Sequence, residues 1–345
     1  MANEHVNRSE FLEILKAVSP GLARKDLIAQ AECFIFANGR CATYNDIVAV
    51  SHPLPESCAD LAGAVKAEEL LKLISRIRNK TVKLETDEKN LVIRTPSAQM
   101  GVRVENDIVL PLAAIGAPDE WLPIPEGMLK AISFCRFSAG QDQARPILTY
   151  VLLRENAAIS SDDLRITVME FDKPLCDRDI LIPAEHIKEL ISYKPIEFGR
   201  DEGWLHFRNE SGVTFSLRTA EDAEYMDLTD HLDVEGVSLE LPTKELKASV
   251  QLAMDVIPAK EPDPVLKVTC KDGKMLVKAD GPYAWVKCRH KIETDEVFQF
   301  LVHPQLFLDT LDLADEVIVG TSCIRIASKK ARFVHVVLLC EGGDE

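Results

Sequence analysis

Leu15-Lys16-Ala17, Leu129-Lys130-Ala131 and Leu246-Lys247-Ala248 are three copies of one tripeptide, 114 and 117 residues apart. Each lies in a stretch of helical periodicity and is followed by a long run of strand-like sequence. A polar turn between apolar runs recurs at Thr43-Tyr44-Asn45-Asp46, Ser160-Ser161-Asp162-Asp163 and Lys278-Ala279-Asp280-Gly281, with steps of 117 and 118 between their last residues. A second helix-like segment begins near Ala67, Ala184 and Pro304, with steps of 117 and 120. Three features sharing one period point to a repeated domain rather than one large core. The predicted domains are 1–118, 119–236 and 237–345, with linkers at Gly116–Asp119 and Asp227–Gly236.

Within each repeat the pattern is a helix and several strands, then a second helix and several strands. Phe11, Ile14, Leu15, Val18 and Leu22 form one helix face, and Ala67, Leu70, Leu71, Ile74 and Ile77 another. Strands are expected at Cys33–Phe36, Ile47–Val50, Thr81–Glu85, Leu91–Thr95 and Met100–Val104 in the first repeat, and at matching places in the others, including Ile147–Leu153. The fold class is α+β, with three domains, each of two helices packed on antiparallel sheets.

The chain has 345 residues, 46% of them hydrophobic and 28% charged, which is the composition of a folded globular protein. Nine scattered cysteines, none in a CxxC arrangement, fit reduced thiols in a cytoplasmic setting and argue against a disulfide framework or a zinc site. The N-terminus lacks the pattern of a signal peptide, and no apolar run is long enough to cross a bilayer. A net charge of −16 disfavours nucleic acid over the surface as a whole. The predicted helices carry little of it. Lys72, Arg76 and Lys80 recur every four residues in a helix expected over 66–80, so they form one cationic stripe. A last helix expected over 304–316 is acidic, with Asp309, Asp312, Asp315 and Glu316.

No phosphate-binding loop, dinucleotide fingerprint, zincin motif or nucleophile elbow is present. Asp162 and Asp163 could be imagined as an acid-base or metal pair in a multidomain hydrolase, but their counterparts in the other repeats have different chemistry. Turn formation explains them better. No metal or cofactor is expected.

Several motifs resemble the DNA sliding clamps, the beta subunits of bacterial DNA polymerase III, including phage or divergent members. Phe11–Ser19 followed by Gly21-Leu22-Ala23-Arg24 resembles the family's first helix and basic loop. Arg145-Pro146-Ile147-Leu148-Thr149-Tyr150-Val151 resembles Arg-x-x-Leu-x-Gly-Val, with Tyr150 in place of glycine. Ser160–Thr167 (SSDDLRIT) resembles ATDGHRLA, and Val302–Leu311 with Val317–Gly320 resembles the last helix and strand. The resemblance implies the DNA-clamp fold and a head-to-tail ring of two chains, with helices lining the hole and sheets outside. It implies a processivity factor without catalysis of its own, in the cytoplasm at the nucleoid or in a phage host. Its partners would be double-stranded DNA, bound without sequence preference, and a DNA polymerase and clamp loader docked through a short peptide. A clamp-fold adaptor or decoy that no longer closes on DNA is the alternative.

Carried over to this sequence, the DNA-facing set is Arg24, Lys25, Lys72, Arg76, Arg78, Lys80, Lys130, Gln143, Arg145 and Lys247. The peptide pocket would use Leu148, Arg165, Ile166, Val336, Val337, Leu338 and Leu339. The dimer interface would use Met100, Val102 and Val104 on an edge strand, against Val256 and Ile257. Two departures from the family stand out. At the C-terminal wall the Met-Pro-Met-Arg-Leu-type ending is absent and Cys340–Glu345 adds an acidic tail, and Leu164 stands where the family has histidine.

Overall fold

The computed structural model describes residues 5–23, 28–115, 117–175, 178–220, 223–239, 243–258, 261, 264–294, 296–311 and 313–340. Its elements follow one order six times over: a strand, a helix, then three strands. The first module is β1 (Val6–Asn7), α1 (Arg8–Val18), β2 (Cys33–Ala37), β3 (Arg40–Tyr44) and β4 (Val48–Pro53). The second is β5 (Gly63–Lys66), α2 (Ala67–Arg76), β6 (Thr81–Thr86), β7 (Asn90–Arg94) and β8 (Gln99–Glu105). Then come β9 (Leu122–Pro123), α3 (Met128–Cys135), β10 (Tyr150–Arg154), β11 (Ala157–Ser161) and β12 (Arg165–Glu170). The fourth comprises β13 (Ile180–Pro183), α4 (Ile187–Ser192), β14 (Glu197–Asp201), β15 (Trp204–Arg208) and β16 (Thr214–Arg218). The fifth holds β17 (Val237–Leu239), α5 (Thr243–Met254), β18 (Leu266–Lys271), β19 (Lys274–Asp280) and β20 (Trp285–Lys291). The sixth closes with β21 (Phe298–Val302), α6 (Pro304–Leu311), β22 (Glu316–Val319), β23 (Cys323–Ser328) and β24 (Phe333–Leu338).

These elements fall into two compact units. One, residues 1–124 and 185–221, is built on a twelve-stranded sheet ordered β1-β6-β7-β8-β5-β2-β3-β4-β16-β15-β14-β9. The other, residues 125–184 and 222–345, holds an eight-stranded sheet, β13-β10-β11-β12-β24-β23-β22-β17, and a four-stranded one, β20-β19-β18-β21. Every strand pair is antiparallel.

The repeated polar turn has the same hydrogen bond in each copy. Asn45 N–H donates to the Val48 carbonyl at 3.0 Å, Asp162 N–H to Arg165 at 3.3 Å and Gly281 N–H to Ala284 at 2.8 Å. In the first two copies the side-chain oxygen of Asn45 or Asp162 also accepts from the two amides that follow. The next residue, Asp46 or Asp163, sits at φ 76° or 71°, the left-handed region that short polar side chains tolerate.

Burial corrects the tripeptide alignment. The sheet-facing residues are Phe11, Ile14, Leu15 and Val18 in α1; Met128, Ala131, Ile132 and Cys135 in α3; and Leu246, Ser249, Val250 and Ala253 in α5. Leu15 therefore corresponds to Ile132 and Val250, with steps of 117 and 118, in agreement with the turns. Leu129 is only half-buried, one turn out of register. The tripeptide marks the right helices at non-equivalent positions, so Lys16, Lys130 and Lys247 are not counterparts.

Three element limits differ from expectation. The helix expected over 66–80 stops at Arg76, because Ile77 turns extended (ψ 129°) and is buried, and the Lys80 carbonyl accepts the Arg8 amide at 2.9 Å. The stripe Lys72–Arg76–Lys80 is thus helical only as far as Arg76. The predicted strand Ile147–Leu153 begins with a 3-10 turn over Pro146–Thr149, since Pro146 favours a turn start. The acidic helix expected over 304–316 ends at Leu311, and Glu316 belongs to β22. The segment Asp227–Gly236, expected as a linker, packs into its unit: Leu228 and Val234 are buried, and a Cβ on Gly236 would collide with the Val319 carbonyl oxygen.

Candidate nucleic-acid and peptide interfaces

The expected DNA-facing residues divide by environment. Arg24 and Lys25 lie outside the described residues. Lys72 and Arg76 sit one turn apart on the exposed face of α2, and exposed Arg78 and Lys80 follow in the connection to β6. Among the described residues none of these four side chains is held in an ion pair, which leaves their charge available to an external anion. Their place at a helix C-terminus also gives them a structural role, because cations there offset the macrodipole. Glu68 and Glu69 on the first turn of α2 balance two of the four, so the positive potential is concentrated at the C-terminal end.

Lys130 on α3 and Gln143 in the following loop are exposed. Arg145 is exposed but ion-paired with Asp163, the left-handed residue of the repeated turn. Lys247 on α5 is half-buried and already engaged. The cluster on α2 and after it is the best-formed anion-facing group of the set.

Of the expected pocket residues, those of β12 and β24 lie side by side, and only some reach the surface. β12 pairs with β24 so that Arg165 faces Val337 and Ile166 faces Val336. Alternation sends Arg165, Thr167, His335 and Val337 to the helix side, and Leu164, Ile166, Val336 and Leu338 to the other. Leu148, Val336 and Val337 are buried in the core. The accessible apolar surface is Leu164 (54% exposed) and Leu338 (46%), joined by a 2.8 Å hydrogen bond from the Leu338 amide to the Leu164 carbonyl, with Ile166 and Leu339 half-buried. Leu164, which stands where the family's pattern has histidine, and Leu338 are thus the most exposed apolar residues of this strand end.

Arg165 is a tie rather than a wall. Its Nε donates to Asp162 Oδ2 at 2.9 Å, one terminal nitrogen to Asp309 Oδ2 at 3.0 Å, and the other to the Phe137 carbonyl at 2.5 Å. The guanidinium also lies 5.0 Å from the centre of the Phe137 ring. One cation therefore joins the repeated turn, the end of α3 and α6. Behind it, His335 is fully buried, bonded through Nδ1 to the Thr167 hydroxyl at 2.8 Å. Burial, and then the neighbouring Arg165 charge, push its imidazole down to about 3, so it is neutral.

Partners within the fold also account for the acidic residues expected in the last helix. Asp309 pairs with Arg165, Asp315 accepts from the Ser328 hydroxyl at 2.8 Å, and Glu316 pairs with Arg325 at 2.5 Å. Asp312 lies outside the described residues. Asp162 and Asp163 are likewise ion-paired, with Arg165 and Arg145, while the Asp162 side chain also accepts the amides of the turn. Among the described residues no group of three His, Cys, Asp or Glu side chains could hold a metal ion, and no helix is long and apolar enough to cross a membrane.

The expected interface residues lie on or beside strands with an unpaired edge among the described residues. Met100, Val102 and Val104 share the helix side of β8, with Val102 buried and the others half-buried. β5 reaches only Val104 and Glu105, so Gln99–Arg103 keep one edge without a partner strand among the described residues. β20 ends its sheet, and among the described residues its outer edge has no partner strand. Val256 and Ile257 are half-buried at the base of that strand, where a Cβ on Gly281 would collide with the Val256 carbonyl oxygen. Only glycine permits that approach.

No family profile and no curated protein sequence matches the chain. Solved structures do. The DNA polymerase III subunit beta from Pseudomonas aeruginosa superposes with a TM-score of 0.84 at 14% identity, over 98% of this chain and 99% of that one. The DNA polymerase sliding clamp from Bacillus subtilis gives 0.83 at 16%, and the Helicobacter pylori beta clamp bound to a DNA ligase peptide 0.80 at 15%, with the same coverage. The chain has the fold of the bacterial DNA sliding clamps over 98% of its length.

Proposed function

We propose that this chain is a DNA polymerase processivity factor, two copies of which close head to tail around duplex DNA and tether replication or repair proteins without catalysis. The observation that carries this is the pairing of third strands. β4 of the first module pairs with β16 of the fourth, and β12 of the third with β24 of the sixth. β20 of the fifth and β8 of the second are left over. A second copy supplies each with the other, and in a ring of two both edges are closed. The three clamp domains of that ring are 1–118, 119–236 and 237–345. Lys72, Arg76, Arg78 and Lys80 would face the phosphates, giving attachment without sequence preference. The groove of Leu164, Ile166 and Leu338 would take a short apolar peptide, a role supported by the peptide bound to the Helicobacter pylori clamp.

The internal pairs also set the register. Val48 faces Leu217 and Arg165 faces Val337. The repeated turn makes Ala284 the counterpart of Val48 and Arg165. The hairpin pairs Arg94–Gln99 and Arg208–Thr214 make Val102 the counterpart of Leu217. Val102 of one copy should therefore lie opposite Ala284 of the other. Val102→Cys combined with Ala284→Cys in one chain should form a covalent dimer of about twice 38.4 kDa under oxidising conditions. The offset pair Gly101→Cys with Ala284→Cys should not, because a one-residue slip turns the side chains to opposite faces. Equal yields from both pairs, or no dimer from either, would refute the interface.

A further inference from the structure

The densest positive charge among the described residues is on a sheet, on the face turned away from the helix. α5 packs against β19 and β20 of the four-stranded sheet, and Ser249 of α5 bonds His290 of β20 at 2.9 Å. Alternation therefore sends Val268, Met275, Val277 and His290 inward. The outward residues are Lys267 and Lys271 on β18, Lys274 and Lys278 on β19, and Lys287, Arg289 and Lys291 on β20. That is seven cations on three adjacent strands of a chain with a net charge of −16.

The arrangement opposes the folded chain's own interest. Lys267 faces Lys278, Lys271 faces Lys274, Lys274 faces Lys291 and Lys278 faces Lys287 directly across the ladders. Like charges directly opposite one another destabilise a sheet. Only Lys278 is relieved, by Asp280 at 2.7 Å; among the described residues the other six form no ion pair. Asp272 in the β18–β19 turn and Glu293 beyond β20 are the acidic groups at the far end. At the near end the same face carries Trp285, 68% exposed, after Tyr283, which is fully exposed. An aromatic ring left in water beside rows of cations spaced about 6.8 Å along a strand is a stacking platform with a phosphate track.

We infer that this outward face of β18–β19–β20 binds single-stranded nucleic acid, with Trp285 stacking on a base and Lys287, Arg289 and their neighbours following the backbone. Unpaired bases stack readily on aromatic side chains that a sheet presents, whereas a duplex keeps its base faces buried in its own stack. An acidic peptide would match the cations but give the exposed tryptophan no partner. The inference does not rest on ring closure, since the whole surface belongs to one sheet of one chain.

The test is fluorescence anisotropy of a labelled twenty-residue oligothymidylate titrated with the full chain at several salt concentrations. Lys287→Ala combined with Arg289→Ala should weaken binding and reduce the slope of log affinity against log salt by about 1.4, at about 0.7 for each phosphate no longer neutralised. Trp285→Ala should weaken binding about tenfold and leave the slope unchanged. Wild-type affinity in the Lys287/Arg289 variant would overturn the assignment. So would equal competition by a polyglutamate peptide of matched charge, which would identify an acidic protein as the partner. Circular dichroism of each variant separates loss of the surface from loss of the fold.

Discussion

Replacing Arg165 by methionine should destabilise the unit built from residues 125–184 and 222–345 by about 2–4 kcal/mol. The side chain is 12% exposed, and its partners Asp162 and Asp309 are 20% and 23% exposed, so water screens the cluster only weakly. Removing the cation leaves two carboxylates beside one another and the Phe137 carbonyl without its donor. Breaking a fully buried pair in this way costs about 3–5 kcal/mol, and the residual exposure trims that figure. Asp309→Asn keeps an acceptor in place and should cost about 1 kcal/mol. Urea unfolding followed by circular dichroism measures both, and a double-mutant cycle of Arg165→Met with Asp309→Asn should return a coupling of about 1–2 kcal/mol. The coupling should persist in high salt, because a cluster this far from solvent is little screened. A cost below about 0.5 kcal/mol for Arg165→Met, or additive single variants, would refute the view of Arg165 as the tie between turn, α3 and α6.

His335 should make the same unit acid-sensitive. Its folded value of about 3 lies below the ordinary 6.5, so below pH 6.5 the unfolded chain binds a proton that the folded chain refuses. Stability then falls as pH drops from 6.5 toward 3, by about 1.4 kcal/mol per unit. His335→Asn should flatten that part of the profile in urea titrations at pH 7, 6 and 5, and a parallel profile would exclude His335 as the cause. Lys72→Ala with Arg76→Ala should lower the salt slope of duplex DNA binding by about 1.8, at about 0.9 per phosphate, with little change in urea midpoint. An unchanged slope would remove these two residues from the DNA-facing set.

The sequence showed its architecture through local chemistry that the fold reuses. The turn at Asn45 recurs at Asp162 because each side chain must satisfy two amides in a left-handed corner, and that need is visible in one residue type. Alternating apolar residues marked most of the strands for a similar reason. The three Leu-Lys-Ala copies misled in detail: a three-residue match carries no information about which side of a helix faces the sheet, and burial shifts the alignment by nearly one turn. Helix ends were missed where tertiary contacts decide them, as at Ile77, which is buried just past α2, and at Glu316, which pairs with Arg325. The expected peptide surface was only half legible, because Val337 turns to the helix side and Val336 is buried on the face it shares with Leu164, while Leu164, a departure from the family's pattern, is the exposed apolar residue. The basic face of β18–β20 was written in the sequence as cations at alternate positions. It becomes a surface only when three hairpin-linked strands are set side by side.

The central claim is topological, and nicked circular DNA tests it most directly. Protein placed on the circle by a bacterial clamp loader should stay bound through a high-salt wash, and should leave within the time of sliding once a restriction enzyme cuts the circle. Retention on the linear product, or equal loss from cut and uncut circles, would contradict a ring closed by β8 and β20.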